Sequence, residues 1–174
     1  MNCGDRELSF EFATAAYRSR GVVRDLIHRF KYGRQVHLRH LLARMLSEGF
    51  RDARLGELRP EVIVPVPLHA TRKREREFNQ AELIAELAGR RLGLPVEDCL
   101  RRIRYTLTQT NFHREERFAN LDGAFAVRPG FKMEGRVVAL VDDVLTTGST
   151  ADACARVLRD AGASAVVVIT VARG

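Results

Sequence analysis

Apolar positions along this chain recur at two spacings. Val23, Leu26, Ile27 and Phe30 fall at i, i+3, i+4 and i+7, which predicts a helix from Gly21 that ends at Lys31-Tyr32-Gly33. From Val36, the residues Leu38, Leu41, Leu42, Met45 and Leu46 repeat that spacing to a stop at Gly49. Glu61 to Pro67, EVIVPVP, is instead short and β-branched and is closed by prolines, as a buried strand would be. A helical stripe returns with Leu83, Ile84, Leu87 and Ala88, from about Asn79 to Leu92, and Gly93 and Pro95 stop it. Gly123 to Val127 predicts a strand, with Pro129-Gly130 as a turn. Val137 to Val141 is a second buried run. Cys154, Val157, Leu158 and Ala161 then share a helix face, and Ala165 to Val171 forms the last strand. Apolar strands alternating with helices predict an α/β fold around a parallel sheet. Residues 1–17 carry little pattern. Two helices precede the first clear strand, so the expected division is an N-terminal helical segment, 1–58, appended to a sheet domain, 59–174.

Two stretches have no period. His69 to Gln80, HATRKREREFNQ, reads as a basic loop directly after a buried strand, where an α/β sheet meets a pyrophosphate. Arg101 to Asn120 is polar and basic, with Tyr105, Phe112 and Phe118 among its arginines. A segment of that length inside a compact domain is expected to act as a lid or binding loop, and basic residues interleaved with aromatics also suit single-stranded nucleic acid.

Composition narrows the class. The 174 residues carry a formal charge of +7, and the basic residues are nearly all Arg, which suits bidentate phosphate contacts. A polyphosphate substrate or a nucleic acid would answer that charge. No apolar run approaches the roughly 20 residues of a membrane helix, and the polar N-terminus does not resemble a signal peptide. Cys3, Cys99 and Cys154 form no CxxC pair, which argues against a disulfide framework or a zinc site and fits a reducing cytoplasm. His37 and His40 stand one turn apart without a third ligand nearby, so they are expected to be packed or solvated. Cys154 lies on a core stripe and is expected to pack rather than react.

The chemistry concentrates in Arg136 to Thr150, RVVALVDDVLTTGST. Asp142 and Asp143 end a buried strand, where carboxylates can accept hydrogen bonds from paired sugar hydroxyls. Thr146, Thr147, Gly148, Ser149 and Thr150 enter a helix N-terminus and offer N–H groups, hydroxyls and a favourable dipole to a phosphate. No Lys follows the Gly, so the loop is not a Walker A motif.

This stretch resembles the 5-phosphoribosyl 1-diphosphate (PRPP) signature of type I phosphoribosyltransferases. Further pieces stand in order around it: Lys31-Tyr32-Gly33; Pro65-Val66-Pro67-Leu68-His69 before Arg72 and Arg76-Glu77-Phe78-Asn79-Gln80; then Arg102, Thr106, Gln109, Arg117, Asn120 and Gly123-Ala124-Phe125. Together they resemble the ComF/GntX-like competence-associated family over residues ~20–172, nearly the whole chain.

The resemblance implies a type I phosphoribosyltransferase fold and Mg²⁺-dependent transfer of a phosphoribosyl group to a nitrogen acceptor. Asp142 and Asp143 would hold the ribose hydroxyls, directly or through Mg²⁺. Residues 146–150 would hold the 5-phosphate, and Arg72 and Arg76 the diphosphate. Arg102, Arg104 and Arg117 would belong to a lid or a nucleic-acid contact. It also implies single-stranded DNA and competence proteins as partners, and a homodimer. The alternative to an enzyme is a non-catalytic accessory protein that binds DNA or partners, or a ribose-phosphate sensor. Two departures stand out. Family members carry an N-terminal cysteine-rich zinc module, of which only Cys3 is seen, so no zinc is expected. Glu77 also stands where the family has Gly, which puts a carboxylate beside the expected diphosphate loop.

Overall fold

In the computed structural model, residues 7–104 and 121–174 are described. Four parallel strands form the central sheet in the order β1-β6-β5-β2: β1 is Ala13–Arg18, β2 Val62–Pro65, β5 Val137–Leu145 and β6 Ala165–Arg173. A separate antiparallel pair, β3 (Leu100–Arg102) and β4 (Phe125–Val127), joins Leu100 to Val127 and Arg102 to Phe125. Helices α1 (Gly21–Tyr32), α2 (Arg39–Gly49), α5 (Gln80–Leu92) and α6 (Ser149–Asp160) match the stripes in the sequence. Two shorter helices, α3 (Leu55–Leu58) and α4 (Ala70–Arg76), and a 3-10 turn over Val36–Leu38 are also described.

The apolar runs in β2, β5 and β6 are continuous because both faces of the sheet are covered. Successive side chains alternate between faces. Val138, Leu140, Val166 and Val168 pack on one side with Cys154 and Leu158 of α6 and with Leu100 and Phe125 of the small sheet. Ala139, Val141, Val167 and Ile169 pack on the other with Ile27 and Phe30 of α1, Leu42 and Leu46 of α2, and Ile84 of α5. Gly49 ends α2 against the sheet: a methyl group there would stand 2.8 Å from Ile169 Cγ2.

The N-terminal segment is helical, as its periodicity indicates, and it is also part of the sheet architecture. Ala13–Arg18 pairs with β6 as an edge strand, Ala13 opposite Val168 and Tyr17 opposite Ala172. The sequence ATAAYR shows no alternation because this strand is only half-covered and its last three residues are exposed. Helices α1 and α2 form one covering layer with α5 rather than standing apart.

The segment His69–Gln80, expected as a loop, contains α4. Arg, Lys and Glu are good helix formers, and none of its residues is buried, so no apolar period marks it. His69 caps the start by accepting from the Thr71 N–H at 3.3 Å. The segment Arg101–Asn120, expected as a lid or binding loop, begins within β3, and Tyr105 to Asn120, including Arg117, lie outside the described residues. No described helix is long and apolar enough to cross a membrane.

Candidate functional site

Strand β5 runs from the core to the carboxyl edge of the sheet, where ligands of open α/β sheets bind. Val138 to Val141 are fully buried, and Asp142 and Asp143 follow inside the same strand. Strand alternation sends these neighbouring carboxylates toward opposite faces. Asp143 continues the Ala139–Val141 side. It is 5% exposed, and its Oδ1 lies 2.8 Å from Lys31 Nζ. Asp142 continues the Val138–Leu140 side, where its charge helps push the Cys154 thiol well above the usual range, behind the larger effect of burial. Asp142 also accepts the Asp143 N–H on its Oδ1 at 2.8 Å.

The sequence alone marks Lys31 only as the end of a helix. It sits at i+4 from Ile27 and directly after Phe30, both buried, so α1 aims its stem at the covered layer. An ammonium so placed needs an anion, and Asp143 supplies it. Burial opposes its charge, but Asp143 and then Asp142 outweigh this and raise its pKa above the ordinary lysine value. Burial and the Asp143 charge push Asp142 up to about 7, against the pull of Lys31 and Arg76.

Arg76, in the last turn of α4, thus belongs to the same electrostatic cluster as the acids. Its guanidinium donates to Gln80 Oε1 at 3.1 Å and to Tyr32 Oη at 3.0 Å, and lies 4.9 Å from the Tyr32 ring centroid. Tyr32 also meets the His28 ring at 4.9 Å. Gln80 is 2% exposed, and its Nε2 has no protein partner. Arg72 lies one turn earlier on α4, at the i−4 position from Arg76. Glu77, in the next position, has φ +69° and caps α4 in the left-handed conformation. Its carboxylate is exposed and stands 3.5 Å from Arg34 Nη2. The family-like Gly at this position therefore has a conformational reason.

The loop after β5 leads through a left-handed glycine into a helix N-terminus. Gly148 has φ +80° and stands at the N-cap of α6. The Thr147 and Ser149 hydroxyls lie 3.0 Å apart. Ser149 is buried, Thr147 and Thr150 are half-buried and Thr146 is exposed. Thr147 Oγ1 accepts the Ser149 N–H at 3.5 Å, and the start of this twelve-residue helix favours an anion through its dipole. A cleft of about 1060 Å³ adjoins the loop, lined by Phe10, Phe12, Arg54, Thr147, Gly148 and Arg156 among others.

The remaining predicted residues lie elsewhere. Arg102 sits on β3 with its guanidinium 5.4 Å from the Phe125 ring centroid, and Arg104 is exposed just beyond. A resident metal fits the acid pair poorly. The two carboxylates point to different faces, Asp143 already holds a cation, and no group of three or more His, Cys, Asp and Glu suited to a metal occurs among the described residues. His37 and His40 are both exposed.

Fold and site together define an α/β protein with two carboxylates and a Thr-Gly-Ser loop at the carboxyl edge of a parallel sheet. The chain is 39% identical over 152 residues to Competence protein F of Haemophilus influenzae, covering 85% of this chain and 66% of that protein. It is 36% identical over 146 residues to DNA utilization protein YhgH of Escherichia coli, covering 82% and 63%. Competence protein ComFC of Streptococcus pneumoniae is 28% identical over 151 residues, covering 87% and 63%. The chain belongs to this family of competence and DNA-utilization proteins and spans just under two thirds of the length of the relatives it matches. No family model matches it. Among solved structures it is similar to a glutamine PRPP amidotransferase from B. subtilis, with TM-score 0.49 and 25% identity over 75% of this chain and 25% of that one. It is also similar to an adenine phosphoribosyltransferase from Leishmania tarentolae, with TM-score 0.39 and 21% identity over 69% and 53%.

Proposed function

We propose that the carboxyl edge of the sheet binds PRPP, or ribose 5-phosphate as a ligand only, and transfers the phosphoribosyl group of PRPP to a nitrogen acceptor with release of diphosphate. One observation carries this reading: the acids of β5 lead within a few residues to a left-handed glycine and the N-terminus of α6. A hydroxyl-binding group and a phosphate-binding group thus adjoin within one strand–loop–helix unit. Residues 146–150 hold the 5-phosphate through N–H and hydroxyl groups. Asp142 accepts from the ribose hydroxyls. Arg76, with Arg72 one turn away, answers the diphosphate.

Displacement of diphosphate by a nitrogen nucleophile builds positive charge on the ribose and negative charge on the leaving group. The protein contributes alignment and fixed charge rather than covalent chemistry. Magnesium enters this reading as the ion a diphosphate carries, where it would neutralise the leaving group. Cytoplasmic residence and a homodimer accompany it.

Calorimetric titration of PRPP with Mg²⁺ tests the reading. We expect binding in the wild type and loss in Asp142→Asn. Absence of binding at millimolar PRPP would overturn it.

A second reading rests on the exposed row Arg101, Ile103 and Arg104 beside the small sheet. This row suits a polyanion, and the relatives are named for DNA utilization and competence. Single-stranded DNA binding that survives Asp142→Asn, fails in Arg101→Ala/Arg104→Ala and falls steeply with salt would establish it. Salt-insensitive binding would exclude it.

A further inference from the structure

We infer that Lys31 serves as the resident cation of the acid pair, so that the ribose end of the site works without a divalent ion. The inference rests on the ribose-phosphate reading above and says what that reading leaves open, namely which charge balances Asp142 and Asp143.

Three observations lead to it. First, Lys31 Nζ is 2.8 Å from Asp143 Oδ1, and the two side chains are only 21% and 6% exposed. Such a contact, largely out of water, is not a transient surface pair. Second, Lys31 and Arg76 already bring two positive charges to the acid pair, and all four groups interact. A divalent ion added there would face both cations, and no group of three or more His, Cys, Asp and Glu suited to a metal occurs among the described residues. Third, the carboxylates are divided between the two faces of β5, and Asp142 Oδ1 is engaged by the Asp143 N–H. A chelate using both carboxylates would have to pull Asp143 off its lysine.

Lys31 is also placed by the fold rather than by chance. Ile27 and Phe30 bury the same side of α1 and bring the ammonium to the strand end. Its location in the last turn of the helix adds a favourable dipole. In this arrangement Asp142 stays available to accept from sugar hydroxyls, while Asp143 and Lys31 hold the strand end in place.

Ribose 5-phosphate is the suitable probe because it has no diphosphate to bring its own magnesium. In the wild type we expect the same dissociation constant with EDTA and with excess Mg²⁺. In Lys31→Met we expect binding about tenfold weaker in EDTA and largely restored by Mg²⁺ or Mn²⁺, and Lys31→Arg should behave as the wild type. Metal-enhanced sugar binding in the wild type, or a Lys31→Met protein indifferent to metal, would overturn the inference. Mn²⁺ binding without sugar, followed by electron paramagnetic resonance, separates this from failure of the ribose-phosphate reading. No site in the wild type and a new one in Lys31→Met that Asp143→Asn abolishes would support Lys31 as the cation even if the sugar never binds. A wild-type Mn²⁺ site lost in Asp143→Asn would reject it. If Lys31→Met does not fold, the wild-type and Asp143→Asn arms still decide.

Discussion

Glu77 offers a direct test of how this site is built. It caps α4 at φ +69°, ψ −15°, a left-handed conformation that costs an L-residue roughly 1–2 kcal/mol. Glycine removes that cost but loses more freedom on folding, which takes back roughly 0.5–1 kcal/mol. The Glu77 carboxylate contributes little in return. Its contact with Arg34 is 3.5 Å long between side chains 64% and 78% exposed, so it is worth a few tenths of a kcal/mol at most. Glu77→Gly should therefore stabilise the protein by about 0.5 kcal/mol, up to about 1 kcal/mol if the strain is at its upper value. Glu77→Ala keeps the Cβ and loses only the charge, so it should be neutral within about 0.5 kcal/mol. Urea unfolding at equal m-values reads both differences as shifts in midpoint. A Glu77→Gly protein less stable than Glu77→Ala would refute the reasoning, because it would mean that the left-handed cap carries no strain.

Lys31→Ala should cost about 3 kcal/mol, since it leaves Asp143 buried without a cation, while Lys31→Arg should cost much less; chemical denaturation near neutral pH would show both. Asp142 gives stability a pH dependence. Its folded form keeps a proton up to about pH 7, whereas the unfolded chain loses it near 3.8, so the wild type loses stability as pH rises through that window. Asp142→Asn should remove that slope, gaining up to about 4 kcal/mol relative to the wild type by pH 8, and parallel curves for the two proteins would refute the assignment. Cys154 is fully buried with its thiol pKa raised, so it should react with a thiol reagent only on unfolding; rapid labelling of the native protein at Cys154 would contradict its packing. Gly148→Ala meets open space, with Phe10 3.9 Å from the new methyl, so the left-handed backbone is the main penalty and stability should fall by about 1 kcal/mol.

The parts legible in the sequence are those set by burial. Strands β2, β5 and β6 are apolar on both faces, and α1, α2, α5 and α6 each carry a stripe, so their types and approximate positions follow from pattern. β1 escaped because an edge strand of Ala, Thr and Tyr needs no alternation. α4 escaped because no residue in it is buried. The phosphate loop was legible because its small residues follow two acids. Lys31 was visible as a helix terminus but not as a partner of Asp143, since its role comes from β5 meeting α1 in space, across more than a hundred residues of chain. Its position at i+4 from Ile27 was the available signal. The divergence of Asp142 from Asp143 follows from strand alternation once both are known to lie within β5 rather than after it.

The strand order also sets when the protein can fold. β6 lies between β1 and β5, so Ala13 finds its neighbour only at Val168. During synthesis β1 leaves the ribosome first and has no strand to pair with until residues 165–173 emerge. Until then β1 and β5 each carry an unpaired edge, open to pairing with another chain. The central sheet should thus close late and slowly, as non-local parallel pairing does. A nascent chain stalled before Ala165 should consequently be far more sensitive to proteolysis than one released beyond Arg173.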